Sequence, residues 1–274
     1  MKKATLIVLL LCIPVFAWAD PFGYTVTNFV NQSEQVESHL MRIDLSTGDY
    51  SDLGAVGFHS SSSGLAFAND QLYAVGATDP GHASEEFWNL TTPPGFLIGA
   101  PIGQNFSDGL AYDRTTGTMY MLSTWFMFEG LYSIDITTGA STLVAGSVVF
   151  TQYDGLAINS QGNIFAASFA RDSLSQINLT GGSSISHTEI GTLGVSSSSY
   201  CGLSFDEFDR LWMLSDDGSI YRVDTSTGVA TFIAQSVANN GGLAINPVVA
   251  TPEPATFLLL GLGLVGLAGL RRKS

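Results

Sequence analysis

Apolar positions along this chain fall in short runs that return at a regular interval. Gly64-Leu65-Ala66-Phe67 recurs as Gly109-Leu110-Ala111-Tyr112, Gly155-Leu156-Ala157-Ile158, Gly202-Leu203-Ser204-Phe205 and Gly242-Leu243-Ala244-Ile245, at steps of 45, 46, 47 and 40 residues. A second run follows each of the first four, at Leu72-Tyr73-Ala74-Val75, Met119-Tyr120-Met121-Leu122, Ile164-Phe165-Ala166-Ala167 and Leu211-Trp212-Met213-Leu214. A third, Ile43-Asp44-Leu45-Ser46-Thr47-Gly48, returns at Ile134 to Gly139, Ile177 to Gly181 and Val223 to Gly228, with a degenerate copy at Trp88 to Pro93. Each run is rich in β-formers and closed by Gly, Asp, Asn or Thr, which predicts strands. No stretch of the body holds a 3.6-residue period for three turns, and the 30 glycines of the chain would punctuate any helix.

A period near 45 residues with four short strands per unit predicts an all-β fold, a β-propeller. Four units are whole and two are fragments. The C-terminal fragment stops after Gly242-Leu243-Ala244-Ile245. The N-terminal one supplies Tyr24 to Phe29, Leu40 to Asp44 and Tyr50 to Leu53. Together the fragments complete one more blade, so the expectation is five four-stranded blades, closed by strand exchange between the termini. Closure of this kind removes the exposed edges that would template aggregation. Gly and Ala open the innermost strand because strands converging on a narrow axis leave little room for side chains.

The two ends do not share the repeat. Lys2-Lys3, the apolar stretch Thr5 to Phe16 and Ala17-Trp18-Ala19 read as a signal peptide over residues 1–19, cut after Ala19 with Ala17 and Ala19 forming the Ala-x-Ala site. The propeller is then expected over 20–249. At the far end Pro252-Glu253-Pro254 leads into an apolar run to Leu270, followed by Arg271-Arg272-Lys273-Ser274. Ala255 to Leu270 is 16 residues, roughly 24 Å of helix, which falls short of a hydrocarbon core of about 30 Å. The helix therefore spans only with thinning or help from its flanks. Its basic end stays cytoplasmic, which places the body outside.

The order of a Pro-Glu-Pro element, a short Gly-rich apolar helix and a basic stop resembles the PEP-CTERM sorting signal. Over residues 250–274 the resemblance carries sorting roles to Pro252, Glu253, Pro254, Arg271 and Arg272. It implies a Gram-negative exported protein that passes through an inner-membrane intermediate. An exosortase then removes the tail, and the mature protein comes to the cell surface or extracellular matrix. A permanent, uncut anchor is the plainer alternative. Members of this family accompany exopolysaccharide systems, so the resemblance also points to a non-catalytic binding or structural part of a biofilm matrix. The body resembles extracellular propellers with Ile-Asp-x-x-Thr-Gly blades, a class that shares no single activity.

Charge narrows the partners. Five of the ten basic residues lie in the two end segments, which leaves the body with 23 acidic residues against five arginines and no lysine, a net of −18. Such a surface repels nucleic acid and bare anionic polymers, so anionic polysaccharide would need a bridging cation. Once Cys12 is removed with the signal peptide, Cys201 is the one remaining cysteine, and no intramolecular disulfide can form.

The repeat also accounts for many tempting residues. Asp70, Asp113, Asp206 and Asp209 fall in first-to-second-strand turns, and Asp44, Asp135 and Asp224 open the Thr-Gly turn. Ordinary turn chemistry explains them. The chain has no Gly-x-Ser-x-Gly elbow, P-loop or Cys-x-x-Cys, and its four histidines lack metal-ligand spacing. What the repeat leaves gathers on one rim. Asp108 precedes Gly109, Tyr153-Asp154 precedes Gly155, and Tyr200-Cys201 precedes Gly202. Long second-to-third-strand loops there carry His82, Glu85, Glu86 and Trp125-Phe126. Asp108 and Asp154 occupy equivalent places in neighbouring blades. They are open to three roles: capping backbone N–H groups, holding a calcium ion, or serving as acid and base in a carbohydrate-active enzyme, the alternative to a binding role. Trp125 and Phe126 either stack on sugar rings or pack against the next blade. Tyr153 and Tyr200 are candidate ligand contacts, and Cys201 is either a small buried residue or a reactive thiol.

Overall fold

A computed structural model describes residues 21–30, 33–59, 64–77, 85–100, 102, 107–123, 130–147, 153–168, 171–179, 184–195, 200–238 and 242–247, without the side chains of 107, 108, 147 and 184. The expected signal peptide, the Pro-Glu-Pro segment and the membrane helix at 255–270 lie outside those residues. Among the described residues no helix is long and apolar enough to cross a membrane.

The body is all-β. The chain opens with β1 (Phe22–Val30), β2 (Val36–Asp44) and β3 (Tyr50–Ala55). Four groups of four follow in chain order. The second blade holds β4 (Leu65–Ala68), β5 (Gln71–Gly76), β6 (Glu86–Asn89) and β7 (Phe96–Ile98). The third holds β8 (Ser107–Asp113), β9 (Thr118–Ser123), β10 (Gly130–Ile134) and β11 (Ser141–Ser147). The fourth holds β12 (Gly155–Ile158), β13 (Ile164–Ser168), β14 (Ser173–Leu179) and β15 (Ser184–Thr192). The fifth holds β16 (Cys201–Phe205), β17 (Leu211–Ser215), β18 (Ser219–Val223) and β19 (Ala230–Gln235). A final short strand is β20 (Ala244–Ile245). Every blade is four-stranded and antiparallel, which gives five blades.

The first blade has the order β20-β1-β2-β3, with Gly23 opposite Ile245 and Tyr24 opposite Ala244. Side chains add to that pairing. Thr25 donates to the Gly242 carbonyl at 2.7 Å, Thr27 donates to the Ala238 carbonyl at 2.5 Å, and the Ile245 N–H donates to Ser204 Oγ of the fifth blade at 3.0 Å. The third and fourth blades also touch edge to edge, where β11 runs parallel to β15 with Gly146 opposite Ser184.

The core is a set of layers between neighbouring blades. Ala66 packs with Leu110, Ala111 with Leu156, Ala157 with Leu203 and Ala244 with Leu65, each pair inside one buried cluster. In four of the five motifs position three thus meets position two of the next blade. The glycine of the motif is needed for this approach. A Cβ on Gly64 would lie 2.4 Å from Leu110 N, one on Gly109 2.7 Å from Leu156 N, and one on Gly202 2.1 Å from Leu243 N.

Candidate functional site

The five innermost strands β20, β4, β8, β12 and β16 line the axis, and their motif positions set its cross-section. Leu65, Leu110, Leu156, Leu203 and Leu243 are all buried, and they fill the axis at mid-height. On the side of the motif glycines a cavity of about 10 Å³ remains, bounded by Gly64, Gly109, Gly155, Gly202, Gly242 and Cys201. This is the loop face, where fourth-to-first and second-to-third strand connections emerge. On the other side a cavity of about 40 Å³ opens between Phe67, Tyr112, Phe205, Ser204, Arg114 and Pro247. This is the turn face, which carries the tight hairpin turns. Neither opening is a channel, because side chains from every blade meet between them.

The expected rim belongs to the loop face, and the structure sorts its members unequally. Tyr153 is buried in the layer between the third and fourth blades, its ring edge-on to His187 with centroids 6.0 Å apart. Its hydroxyl has no hydrogen-bond partner among the described residues. Asp154 next to it is half-buried, with its backbone N–H bonded to the Ala167 carbonyl at 2.8 Å. Tyr200 is exposed at the rim, and its carbonyl accepts from Asp216 N at 3.0 Å. The side chain of Asp108, and Trp125 and Phe126, lie outside the described residues.

Cys201 stands at the repeat position that Asp108 and Asp154 hold in the preceding blades. Its sulfur is buried, and burial first, then the carboxylates of Asp154 and Asp216, push the thiol well above its ordinary value. The thiol is therefore neutral near pH 7, where a nucleophile or metal ligand would need the thiolate. Asp154 and Asp216 converge near this sulfur, one from the fourth blade and one from the second-to-third-strand turn of the fifth. Among the described residues no group of three or more His, Cys, Asp or Glu side chains has the arrangement to hold a metal ion.

One feature of this face escaped the sequence reading. Ser123, Ser168 and Ser215 each end a second strand and are buried. The hydroxyls of Ser123 and Ser168 have no partner among the described residues, whereas Ser215 donates to Asp217. The signal was visible, since a serine follows the second apolar run in each of those three blades.

The turn aspartates do structural work. Asp44, Asp135 and Asp224 each accept from a backbone N–H two residues on, at 2.9, 2.8 and 2.8 Å, and from the hydroxyl of the same residue. Those hydroxyl bonds come first among the causes that hold all three carboxyls below their ordinary value. At Asp113 burial works in the opposite direction, but bonds from Thr115 and Thr116 outweigh it and the carboxyl is again lowered. Asp206 accepts from Arg210 Nε at 2.5 Å and from Trp212 Nε1 at 2.8 Å. Asp209 accepts from Ser160 N of the neighbouring blade at 2.8 Å.

The described body is thus five four-stranded blades around an axis with two shallow mouths, an architecture on which binding proteins and enzymes alike are built. Residues 250–273 match the PEP-CTERM protein-sorting motif. The chain therefore carries a PEP-CTERM sorting motif behind a five-bladed β-propeller-like body. The motif implies export, with a membrane-anchored intermediate that exosortase processes for the surface. No curated protein matches the sequence. Among solved structures, a chain from the crystal structure of a nidogen/laminin complex superposes with a TM-score of 0.53 at 10% identity, covering 82% of this chain and 98% of that one. An X-ray structure assigned as a gluconolactonase gives 0.49 at 13% identity, covering 81% of each. The first of these likenesses concerns the fold alone.

Proposed function

We propose that the protein is an exported, non-catalytic binding or structural component of the cell surface or exopolysaccharide matrix. The observation that carries this reading is the junction of a PEP-CTERM motif at 250–273 with a propeller body. A sorting motif of this kind delivers its passenger to the envelope, and a propeller presents loops on a rigid frame. The body net charge of −18 makes a bridging cation the natural partner of any acidic polymer, and calcium, held by oxygen ligands such as Asp108 and Asp154, is the cation of choice.

In this reading residues 1–19 are a signal peptide, 20–249 the propeller and 250–274 the tail, with a membrane helix at about 255–270. Pairing of β20 with β1 closes the ring. Export removes the first segment and exosortase the last. Peptide mapping of the secreted form is expected to find Asp20 as the first residue and nothing beyond the Pro-Glu-Pro region; an intact Arg271-Arg272 end overturns processing.

The direct test is co-sedimentation of the mature body with exopolysaccharide purified from the producing culture, with and without calcium. Saturable binding that weakens in the Asp108→Asn, Asp154→Asn double variant supports the matrix role and the calcium bridge. Absence of binding in both conditions overturns it. Shortening of the polysaccharide during the incubation reassigns the rim carboxylates to hydrolysis.

A further inference from the structure

Both ends of the described chain lie on the turn face. β20 is the innermost strand of its blade, and it runs from the glycine mouth toward the opposite one, where Pro247 helps line the larger cavity beside Arg114. The other end is adjacent, because Gly23 pairs with Ile245. In the other four blades a first-to-second-strand turn fills this place. Here the chain enters and leaves there instead, and it leaves close to the axis.

That exit point constrains the tethered precursor. From Pro247 to the apolar run that begins at Ala255 there are seven residues, 248–254. Even fully extended they reach about 23 Å. Four strands about 4.8 Å apart put the outer edge of a blade about 15 Å from its inner strand. Strands of five or six residues, as β9, β10 and β17 are, make the ring about 18 Å tall at about 3.3 Å per residue. To turn the ring over, the tether would have to pass from the centre of one face to the edge and down the side, a path of about 33 Å on those spacings. It cannot.

We propose that the membrane-anchored precursor stands with its turn face, the Arg114 and Pro247 mouth, against the bilayer, so that the loop face with Asp154, Tyr200 and Asp216 points away from it. This rests on the membrane helix of the sorting tail. It gives the two faces different partners. The turn face meets lipid and whatever membrane-embedded protease cuts the tail. The loop face is open to matrix before the tail is cut as well as after.

The test uses the precursor from Asp20 to Ser274, without the signal peptide and its Cys12, in liposomes carrying a lipid-attached acceptor dye. A donor dye is placed by thiol labelling on Thr116→Cys at the turn face or on Val36→Cys at the loop face, both exposed. Cys201 stays in place, since it is buried. Energy transfer is expected to be severalfold stronger from the Thr116→Cys donor. Equal or reversed transfer overturns the orientation. If the protein stays in the supernatant and neither donor transfers, the membrane-helix reading fails first and the orientation with it. A third precursor, with about 12 Gly/Ser residues inserted after Pro247, reaches far enough to invert and is expected to lose the difference. Persistence of the full difference in that precursor overturns the short tether as its cause.

Discussion

At the scale of single residues, acidic side chains in this protein divide by what they accept. Asp206 is the clearest structural case. Its two oxygens take the N–H groups of Phe208 and Arg210, both at 2.9 Å, and then Arg210 Nε and Trp212 Nε1. The carboxylate is buried, so its removal strands the Trp212 donor and the Arg210 charge together. Asp206→Ala is expected to cost about 3–5 kcal/mol, the range for breaking a buried ion pair from one side. Thermal or urea unfolding checks this, and a loss below about 1 kcal/mol, typical of an exposed pair, returns the interaction to the surface class. Asp154 differs in place: it is half-buried at the glycine mouth, near the neutral thiol of Cys201.

At the scale of elements, the motif that looked like turn chemistry also fastens blades. Gly48, Gly139 and Gly228 have φ of +80°, +71° and +81°, which the turn requires. Each also lies against the outer strand region of the preceding blade. A Cβ there would come within 2.1 Å of the Gln235 carbonyl oxygen, 2.3 Å of that of Ile98 and 2.6 Å of that of Gly191. A β-bulge recurs three residues before the turn, at Leu40/Met41, Leu131/Tyr132 and Ile220/Tyr221, and adds local twist. Close approach of backbones is therefore the main constraint on the glycines, and it can be separated from φ. Gly202→Ala has ordinary φ but a Cβ 2.1 Å from Leu243 N, whereas Gly57→Ala has φ +86° and open space around it. The first is expected to lose more than the 1–3 kcal/mol usual for overpacking, the second about 1 kcal/mol. Equal losses by thermal unfolding overturn the packing argument.

At the scale of the whole molecule, stability depends on the ring being complete. Each buried layer lies between two blades, so removing one blade exposes the layers on both sides of it. Deleting residues 21–55 removes β1, β2 and β3 and leaves β20 with no partner in its blade. The remaining chain is expected to lose cooperative unfolding altogether. A truncated body that melts in one sharp transition overturns the closing role of the first blade. The same ring explains why the two faces differ. Hairpin turns of two to six residues need little length, while connections between blades cross the other face and vary freely.

Sequence alone determined the period, the five Gly-Leu-Ala strands, the turn role of Asp44, Asp135 and Asp224, and the sorting tail. All of these are local, since strand runs and turns are read from neighbours along the chain, and a repeat makes each reading five times over. What surrounds a residue from another blade stayed out of reach. The sequence puts Tyr153 beside Asp154 at a rim, and only packing of the fourth blade on the third shows its ring turned inward toward His187. Equivalent positions before the motif glycine read as Asp108, Asp154 and Cys201, but the neutrality of that thiol comes from burial and from Asp216 on a separate turn. The exit of the chain at the centre of the turn face was equally hidden, because it depends on which strand of which blade is innermost. Contacts between residues distant in sequence are fixed by the closing of the ring, and no window along the chain contains them.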